Sequence, residues 1–223
     1  MKSKELIIFG ISDFAKQMMY YFSIDSGYKV IAFCVDNKYL PESGEFLTLP
    51  VISIDNLMND YRRDEVNLFL AIGYRNMRMR KQLFDRLHSA GFKMVNYISS
   101  KAIFYSNLEI GANNVILGGV NIEPFVKIGD NNIIWSNTLI GHDTIIENHN
   151  YISACCLIGG QSVIKDLCFI GNGVVTINDI TIRDETYVVC GGVLLNSTRA
   201  ANRYEGNPAR SISNHKDQGI LIN

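Results

Sequence analysis

A histidine followed directly by an aspartate, His142-Asp143, is the pair of side chains in this 223-residue sequence best suited to moving a proton. Neutral imidazole accepts protons near pH 7, and an adjacent carboxylate favours the protonated ring. The pair follows Gly141 inside a glycine-rich repeat, where a histidine could also be a solvated turn residue. We interpret His142 as a candidate general base and Asp143 as the group that tunes it.

The other histidines and the cysteines do not form a metal-binding or redox motif. His149 lies seven residues further on and is predicted to be a surface side chain, while His88 and His215 are distant in sequence. The five cysteines contain no Cys-x-x-Cys motif, and Cys156 and Cys168 are predicted to be small buried residues. We therefore predict no metal site and no disulfide framework.

The element that carries His142 is a six-residue repeat. Apolar residues, most of them isoleucine, occupy every sixth position from Ile98 to Leu194, and Thr176 is the one interruption. A helix repeats near 3.6 residues and a strand at 2.0, so a sustained period of six indicates a short strand and a turn stacked as one unit. Glycine often follows the isoleucine, as at 111, 129, 141, 159 and 171, where a tight corner needs positive φ or close backbone approach. The pattern predicts a parallel β-helix.

The first part of the chain has the pattern of an α/β sheet. Apolar runs at 6–9, 30–35 and 68–72 alternate with helical patterns at 13–22 and 76–90. Ligands bind at the carboxyl ends of such strands, so these substrate-binding candidates should converge: Gly10, Ile11, Ser12, Asp13, Asp36, Asn37 and Gly73. Asp36 could accept hydrogen bonds from a ribose or a base, or could cap a turn. Ser12 and Asp13 replace glycines of the dinucleotide fingerprint, so we expect no redox cofactor in this Rossmann-like part.

Composition argues against several classes of partner. The formal net charge of -1 gives no basic footprint for nucleic acid or for an acidic membrane surface. No apolar run reaches the roughly 20 residues of a membrane span, and the N-terminal residues lack the pattern of a signal peptide. The sequence predicts a cytoplasmic protein.

The order of these parts resembles the nucleotide-sugar acyltransferases of the bacillosamine and perosamine type, which are similar to the sialic acid O-acetyltransferase-like proteins. The isoleucine, glycine and small-residue pattern resembles the hexapeptide repeat of left-handed β-helix acyltransferases, and residues 206–210, Gly-Asn-Pro-Ala-Arg, match the segment that follows the repeat in many of them. The resemblance implies a Rossmann-like nucleotide-sugar-binding domain at 1–95, a left-handed β-helix at 96–200 and a C-terminal tail at 201–223. Gly10 and Ser12 match the family's first turn, Gly-x-Ser-Gly-x-Gly, whereas Asp13 and Ala15 depart from it.

The resemblance also implies an activity and its site. It implies transfer of an acetyl group from acetyl-CoA to the amine of a nucleotide-linked amino-deoxy sugar, for example a 4-amino-4,6-dideoxyhexose, by direct attack with His142 as general base. Tyr151 matches the place of a second histidine in relatives, where its hydroxyl could bind the thioester carbonyl or a pantetheine amide. The implied acetyl-CoA surface comprises Tyr151, Asn172, Gly173, Gly191, Gly192 and Arg210. Sugar O-acetylation and a non-catalytic nucleotide-sugar-binding trimer stay as alternatives, and the nucleotide is left open among UDP, dTDP and GDP.

The same resemblance implies a homotrimer with acetyl-CoA between neighbouring prisms. Four aromatic residues one place outside the core register, Trp135, Tyr151, Phe169 and Tyr187, are expected to be buried in part by the trimer.

Overall fold

The computed structural model describes residues 4–105 and 108–222, and the chain divides into two compact units. The first unit comprises Met1–Gly73 and Gln82–Tyr97, and the second comprises Tyr74–Lys81 and Ile98–Asn223. None of the helices in the described part of the chain is long and apolar enough to cross a membrane.

A six-stranded sheet forms the centre of the first unit. In spatial order its strands are Glu45–Phe46 (β3), Leu49–Ser53 (β4), Tyr28–Val35 (β2), Lys4–Phe9 (β1), Asn67–Leu70 (β5) and Lys93–Met94 (β6). Only β3 pairs antiparallel, and the other strands pair in parallel. The helices are Asp13–Ile24 (α1), Ile54–Asp60 (α2) and Met77–Ser89 (α3), and a 3-10 turn spans Asn37–Tyr39. The predicted alternation of parallel strands and helices is confirmed.

Burial and capping explain these elements. Leu6, Ile7 and Ile8 of the central strand β1 are fully buried, as expected for a parallel sheet covered on both faces. Helix α1 begins after Ser12, whose hydroxyl accepts a hydrogen bond from the Ala15 N–H at 3.4 Å. The short strands β3, β4 and β6 and the helix α2 were not predicted.

The second unit is a parallel β-helix with three faces, built almost entirely from two-residue strands. The first face contains Tyr97–Ile98 (β7), Val115–Ile116 (β10), Ile133–Ile134 (β13), Tyr151–Ile152 (β16), Phe169–Ile170 (β19), Tyr187–Val188 (β22), Asn202–Gly206 (β24) and Ala209–Asn214 (β25). The second face contains Ile103–Phe104 (β8), Asn121–Ile122 (β11), Leu139–Ile140 (β14), Leu157–Ile158 (β17), Val175–Thr176 (β20) and Val193–Leu194 (β23). The third face contains Glu109–Ile110 (β9), Lys127–Ile128 (β12), Ile145–Ile146 (β15), Val163–Ile164 (β18) and Thr181–Ile182 (β21).

The predicted apolar series fills the prism. Ile134, Ile152 and Ile170 are fully buried in one continuous core, where each such side chain contributes about 1.5–3 kcal/mol by leaving water. The interrupting Thr176 is also buried, and its hydroxyl accepts a hydrogen bond from the Gly159 N–H at 2.9 Å. The polar residue is therefore tolerated because its hydroxyl has a partner. The confirmed repeat and the parallel strands fit a left-handed β-helix.

The corner glycines are explained by close approach and not by backbone conformation. A Cβ on Gly141 would lie 2.8 Å from the Gly160 Cα, and one on Gly171 would lie 2.6 Å from the Cys190 nitrogen. Left-handed φ occurs two residues later in each corner, for example at Asp143 with φ 58°. Of the two alternatives, close backbone approach applies at these glycines and positive φ does not.

Candidate active site

His142 lies on the corner between the second and third faces, in the turn that joins β14 to β15. Its Nδ1 lies 2.8 Å from Oδ2 of Asp143, and the two side chains are 47% and 50% exposed. Because a carboxylate accepts only, Nδ1–H donates, and the neutral ring then carries its free lone pair on Nε2. The backbone N–H of His142 donates to Oε2 of Glu123 at 2.8 Å. Nε2 is therefore the atom that can take a proton from a substrate.

The next coil leaves room for this imidazole because it carries glycine at 160. A Cβ on Gly160 would lie 2.8 Å from Nε2 of His142 and 3.0 Å from its carbonyl oxygen. Neither Gly160 nor Glu123 was predicted from the sequence. The repeat did contain a signal for Gly160. Each strand pairs with the strand three repeats later in the sequence, and the same offset places residue 160 next to residue 142.

The predicted acetyl-CoA residues of the repeat lie on a different corner, between the first and second faces: Asn172, Gly173, Gly191 and Gly192. Gly173 and Gly191 have φ of 67° and 71°, and open space surrounds the position of an added Cβ at each. Asn137 and Cys155 adopt φ of 61° and 59° at the equivalent positions, so the left-handed backbone alone does not require glycine. The missing side chains instead leave this corner open.

Tyr151 belongs to the first face, and its ring is covered by residues of the same chain. It is 7% exposed, with its ring centroid 4.7 Å from that of Tyr74 and 5.2 Å from that of Phe169. Tyr74 therefore covers these two rings within one chain, and the expected burial of some of the four aromatic faces in a trimer stays a prediction. Tyr74 starts the covering segment, Tyr74–Lys81, which belongs to the same compact unit as the β-helix.

A cavity of about 260 Å³ opens beside this aromatic group, lined by Tyr74, Trp135, Tyr151, Ser153, Ala154, Phe169, Asn172 and Cys190. Burial raises the pKa of the Tyr151 phenol, and Tyr74 adds to the rise. The positive charge of Arg80 opposes this rise in pKa. The phenol therefore stays protonated near neutral pH and can donate a hydrogen bond.

The covering segment also accounts for His149, which was predicted to be a surface residue. His149 is 4% exposed, and its Nδ1 lies 3.0 Å from Nδ2 of Asn131. Arg80 of the covering segment donates to the carbonyl oxygens of Asn131 and Asn150 beside it, at 2.6 and 3.1 Å. The surface prediction is wrong, because the covering segment packs on this corner between the third and first faces.

Arg210 lies in the hairpin of β24 and β25, whose turn contains Pro208. It lines a cavity of about 350 Å³ together with Arg199 and Ser197. Arg199 was not predicted from the sequence. Its side chain adds a second guanidinium to the same cavity. Two cations beside hydroxyl groups suit an anionic ligand.

The predicted substrate residues of the first unit follow neighbouring parallel strands. Residues 10–13 follow β1, residues 36–37 follow β2 and Gly73 closely follows β5, with β1 in the middle. Gly10 has φ of 123°, and a Cβ there would lie 2.9 Å from the Ala71 carbonyl oxygen, so no other residue fits without strain. Ser12 caps α1, and Asp13 is exposed in its first turn. These residues therefore share one edge of the sheet.

Asp36 has a partner that the sequence did not indicate. Its Oδ1 lies 3.3 Å from Nη1 of Arg86, and its side chain makes no capping hydrogen bond to the following 3-10 turn. Asn37 donates to the carboxylate of Asp55. Within residues 4–105 and 108–222, no three His, Cys, Asp or Glu side chains gather as a metal site would require.

Two family models match the chain. Residues 5–87 match the PglD N-terminal domain, and residues 107–142 and 125–160 match the bacterial transferase hexapeptide (six repeats). No curated protein matches the chain.

Solved structures are similar over almost the whole length. The acetyltransferase domain of PglB from Neisseria gonorrhoeae FA1090 is 19% identical with a TM-score of 0.82, and the match covers 94% of this chain and 100% of that one. PerB from Caulobacter crescentus, in complex with CoA and GDP-perosamine, is 25% identical with a TM-score of 0.82, covering 94% and 97%. WeeI from Acinetobacter baumannii AYE is 23% identical with a TM-score of 0.79, covering 94% and 100%.

The three-faced prism and the hexapeptide match are typical of the bacterial hexapeptide transferases, and the chain is similar to acyltransferases of that class. More specifically, this acyltransferase has a PglD N-terminal domain, and its resemblance to the sugar acyltransferases of the bacillosamine and perosamine type is confirmed.

Proposed function

We propose that the protein transfers an acetyl group from acetyl-CoA to the amine of a nucleotide-linked amino-deoxy sugar. The observation that carries the proposal is the pairing of His142 Nδ1 with Asp143 at 2.8 Å, which leaves Nε2 as a half-exposed base. The likeness to PerB, described with CoA and GDP-perosamine, supports both the donor and the class of acceptor.

The reaction needs one base and no covalent enzyme intermediate. The amine nitrogen attacks the thioester carbonyl, a C–N bond forms, and the carbonyl oxygen takes the electron pair. His142 Nε2 accepts the proton that the nitrogen must lose, the C–S bond breaks, and CoA leaves as the thiol after protonation. Asp143 keeps the proton of the neutral ring on Nδ1 and stabilises the imidazolium that forms.

The donor would lie along the corner between the first and second faces. Gly173 and Gly191 leave that corner open for the pantetheine arm, and Arg199 and Arg210 offer charge to phosphate groups. Asn172 and Tyr151 line the cavity at the same corner, where a thioester would be held.

We propose that two copies of the chain make one site. His142 lies on the second–third corner and the open glycines on the first–second corner, so donor and base of different copies would meet in a homotrimer. The second face carries the aliphatic residues that such an interface requires, since Ile103, Leu157 and Val175 are 49%, 44% and 37% exposed.

The first unit would hold the nucleotide in a Rossmann-like manner. Gly10, Asp36 and Gly73 follow the carboxyl ends of β1, β2 and β5, where parallel sheets bind ligands. The pairing of Asp36 with Arg86 suggests that both side chains face polar parts of a nucleotide.

Release of free CoA thiol is the test, measured with acetyl-CoA and a panel of UDP-, dTDP- and GDP-linked sugars that carry an amine or a hydroxyl at the same carbon. Thiol release with an amino sugar only, and formation of an amide product by mass spectrometry, would support N-acetylation. Release with hydroxyl sugars alone would point to O-acetylation. Binding of sugar nucleotides without any thiol release would point to the non-catalytic trimer.

A further inference from the structure

Glu123 is a carboxylate in direct contact with the candidate base, and the proposed mechanism gives it no role. It is the first residue of the turn that joins β11 to β12, one coil before His142, and it is partly buried. Its Oε2 accepts a hydrogen bond from the His142 backbone N–H at 2.8 Å. The base therefore has two carboxylate neighbours, because Asp143 binds its Nδ1 at 2.8 Å.

The hydrogen bond to Glu123 departs from the pattern of the other coils. There, the second N–H of a turn donates to the side chain at the same position of the following coil: Asn148 to Asp166 at 2.8 Å, and Gly160 to Asn178 at 3.0 Å. For His142 that position is Gly160, which has no side chain and so leaves room for the imidazole. The acceptor comes from the preceding coil instead, which brings a carboxylate to this corner.

The charge of Glu123 is not needed for this hydrogen bond. On the same corner, the amide oxygen of Asn178 accepts the corresponding bond from the next coil. Within residues 4–105 and 108–222, Glu123 takes part in no ion pair, and its Oε1 accepts no hydrogen bond. Lys127, four residues further on, pairs with Glu109 at 2.9 Å. The corner therefore presents a negative charge beside the base without a protein cation to balance it.

The proposed acceptor group can supply that cation. An aliphatic amine is mostly an ammonium at pH 7, whereas a sugar hydroxyl is neutral. A hydrogen bond from an ammonium to a carboxylate is roughly twice as strong as one between neutral groups. The acceptor nitrogen must also come to Nε2 of His142, on the corner that holds Glu123.

We propose that Glu123 is a specificity-determining residue: its carboxylate binds the ammonium group of the acceptor sugar beside His142 and so selects amines over hydroxyls. This inference rests on the proposed function and names the group that would favour N-acetylation. The hydrogen bond from the His142 N–H holds Oε2, which leaves Oε1 to receive the ammonium.

The protons balance without a chemical step on Glu123. The bound ammonium first releases one proton to water, and the amine attacks the thioester carbon as the C–N bond forms. His142 Nε2 accepts the second proton. The C–S bond breaks, its electron pair stays on sulfur, and the thiolate takes that proton from the imidazolium. The third hydrogen stays on the amide nitrogen, while Glu123 only holds the acceptor in place.

The first test is binding at pH 7, measured by isothermal titration calorimetry without acetyl-CoA. The probes are dTDP-4-amino-4,6-dideoxyglucose and dTDP-6-deoxyglucose, which differ only in an amine or a hydroxyl at one carbon, and the corresponding UDP and GDP pairs. The wild type should bind the amine of a pair about tenfold more tightly. Glu123→Gln keeps an oxygen for the His142 N–H, removes the charge and should bind both sugars alike.

Glu147→Gln is the matched control, because Glu147 has the same position in a turn of the third–first corner. It should keep the wild-type preference. Equal binding of amine and hydroxyl by the wild type would overturn the proposal, and so would a preference that survives in Glu123→Gln. Failure of the wild type to bind any of the pairs would overturn this inference together with the proposed function.

Steady-state kinetics separate recognition of the acceptor from a purely structural role. Glu123→Gln should raise KM for the amino sugar about tenfold, with KM for acetyl-CoA unchanged and kcat within about twofold, because the contact is present before the transition state. A fall in kcat alone would mean that Glu123 only positions His142, which overturns the proposal. An amine preference in binding with no thiol release from any amino sugar would show that the proposed function has failed while the ammonium site stands.

Discussion

At the scale of residues, the site depends on a base whose orientation is set by neighbours on two sides. Asp143 fixes Nδ1 of His142, Glu123 accepts from its backbone N–H, and Gly160 leaves space at Nε2. None of these groups contributes much to the apolar core, so their loss should affect rate more than stability.

Replacement of the base tests this most directly. His142→Ala should lower kcat by about two to four decades, the usual range for a general base, with a small shift in melting temperature. Asp143→Asn should lower kcat by less, because His142 Nε2 remains available as the base. The matched control is His88→Ala, which removes an exposed histidine of α3 and should keep the wild-type rate. A His142→Ala enzyme with most of its kcat would assign proton transfer to solvent or another group.

Space for the imidazole gives a second prediction at this scale. Gly160→Ala places a methyl group 2.8 Å from Nε2 and so should displace the ring, which we expect to lower kcat by about 10- to 100-fold. Gly118→Ala is the control, because its new Cβ would meet its nearest neighbour at 3.5 Å, an ordinary contact. Equal rates for both variants would mean that the ring position is not critical.

At the scale of elements, the β-helix depends on small inward residues that lie beside the isoleucine core. Cys156 and Cys168 are 2% and 0% exposed, which confirms their predicted inward position. Burial raises the pKa of the Cys156 thiol from 9.0 to about 11, partly offset by backbone hydrogen bonds. The thiol therefore resists ionisation only while the coil is folded.

The pH dependence of stability follows from that difference. Because the folded pKa of Cys156 is the higher one, its stabilising effect is fully present below pH 9 and is lost as pH rises towards 11. Between pH 8 and 10.5 the wild type should lose more of its free energy of unfolding than Cys156→Ala does, by about 2 kcal/mol. Urea titrations at both pH values measure this. Cys155→Ala, at the exposed neighbour, should behave as the wild type does.

At the scale of the whole molecule, the proposed function requires more than one chain. Tyr74 covers part of the first face, while the second face leaves Leu157 and Val175 exposed. We therefore expect the contact of the proposed trimer at the second face and not at the covered aromatic rings.

Matched charge substitutions test the assignment. Leu157→Glu should convert a trimer into smaller species in sedimentation velocity, because a charge at an apolar interface is strongly unfavourable. Ile145→Glu places the same charge at the same register of the third face, where the exposure is 41% against 44% for Leu157, and should leave the trimer intact. A wild-type protein that is monomeric at micromolar concentration would contradict the two-copy site.

The sequence by itself determined the repeat, the α/β pattern and the His142-Asp143 pair, because each depends on residues near one another in the chain. A period of six fixes which side chains enter the prism whatever surrounds it, and the parallel alternation follows from local apolar runs. Only the tertiary structure decided that Tyr74 and Arg80 cover the first face and its third–first corner, that Asp36 meets Arg86, and that Gly160 opens space for His142. These contacts join positions far apart in sequence, and no spacing encodes which surface a distant segment packs against. His149 was misplaced for this reason, since the covering segment that packs beside it is distant in the sequence.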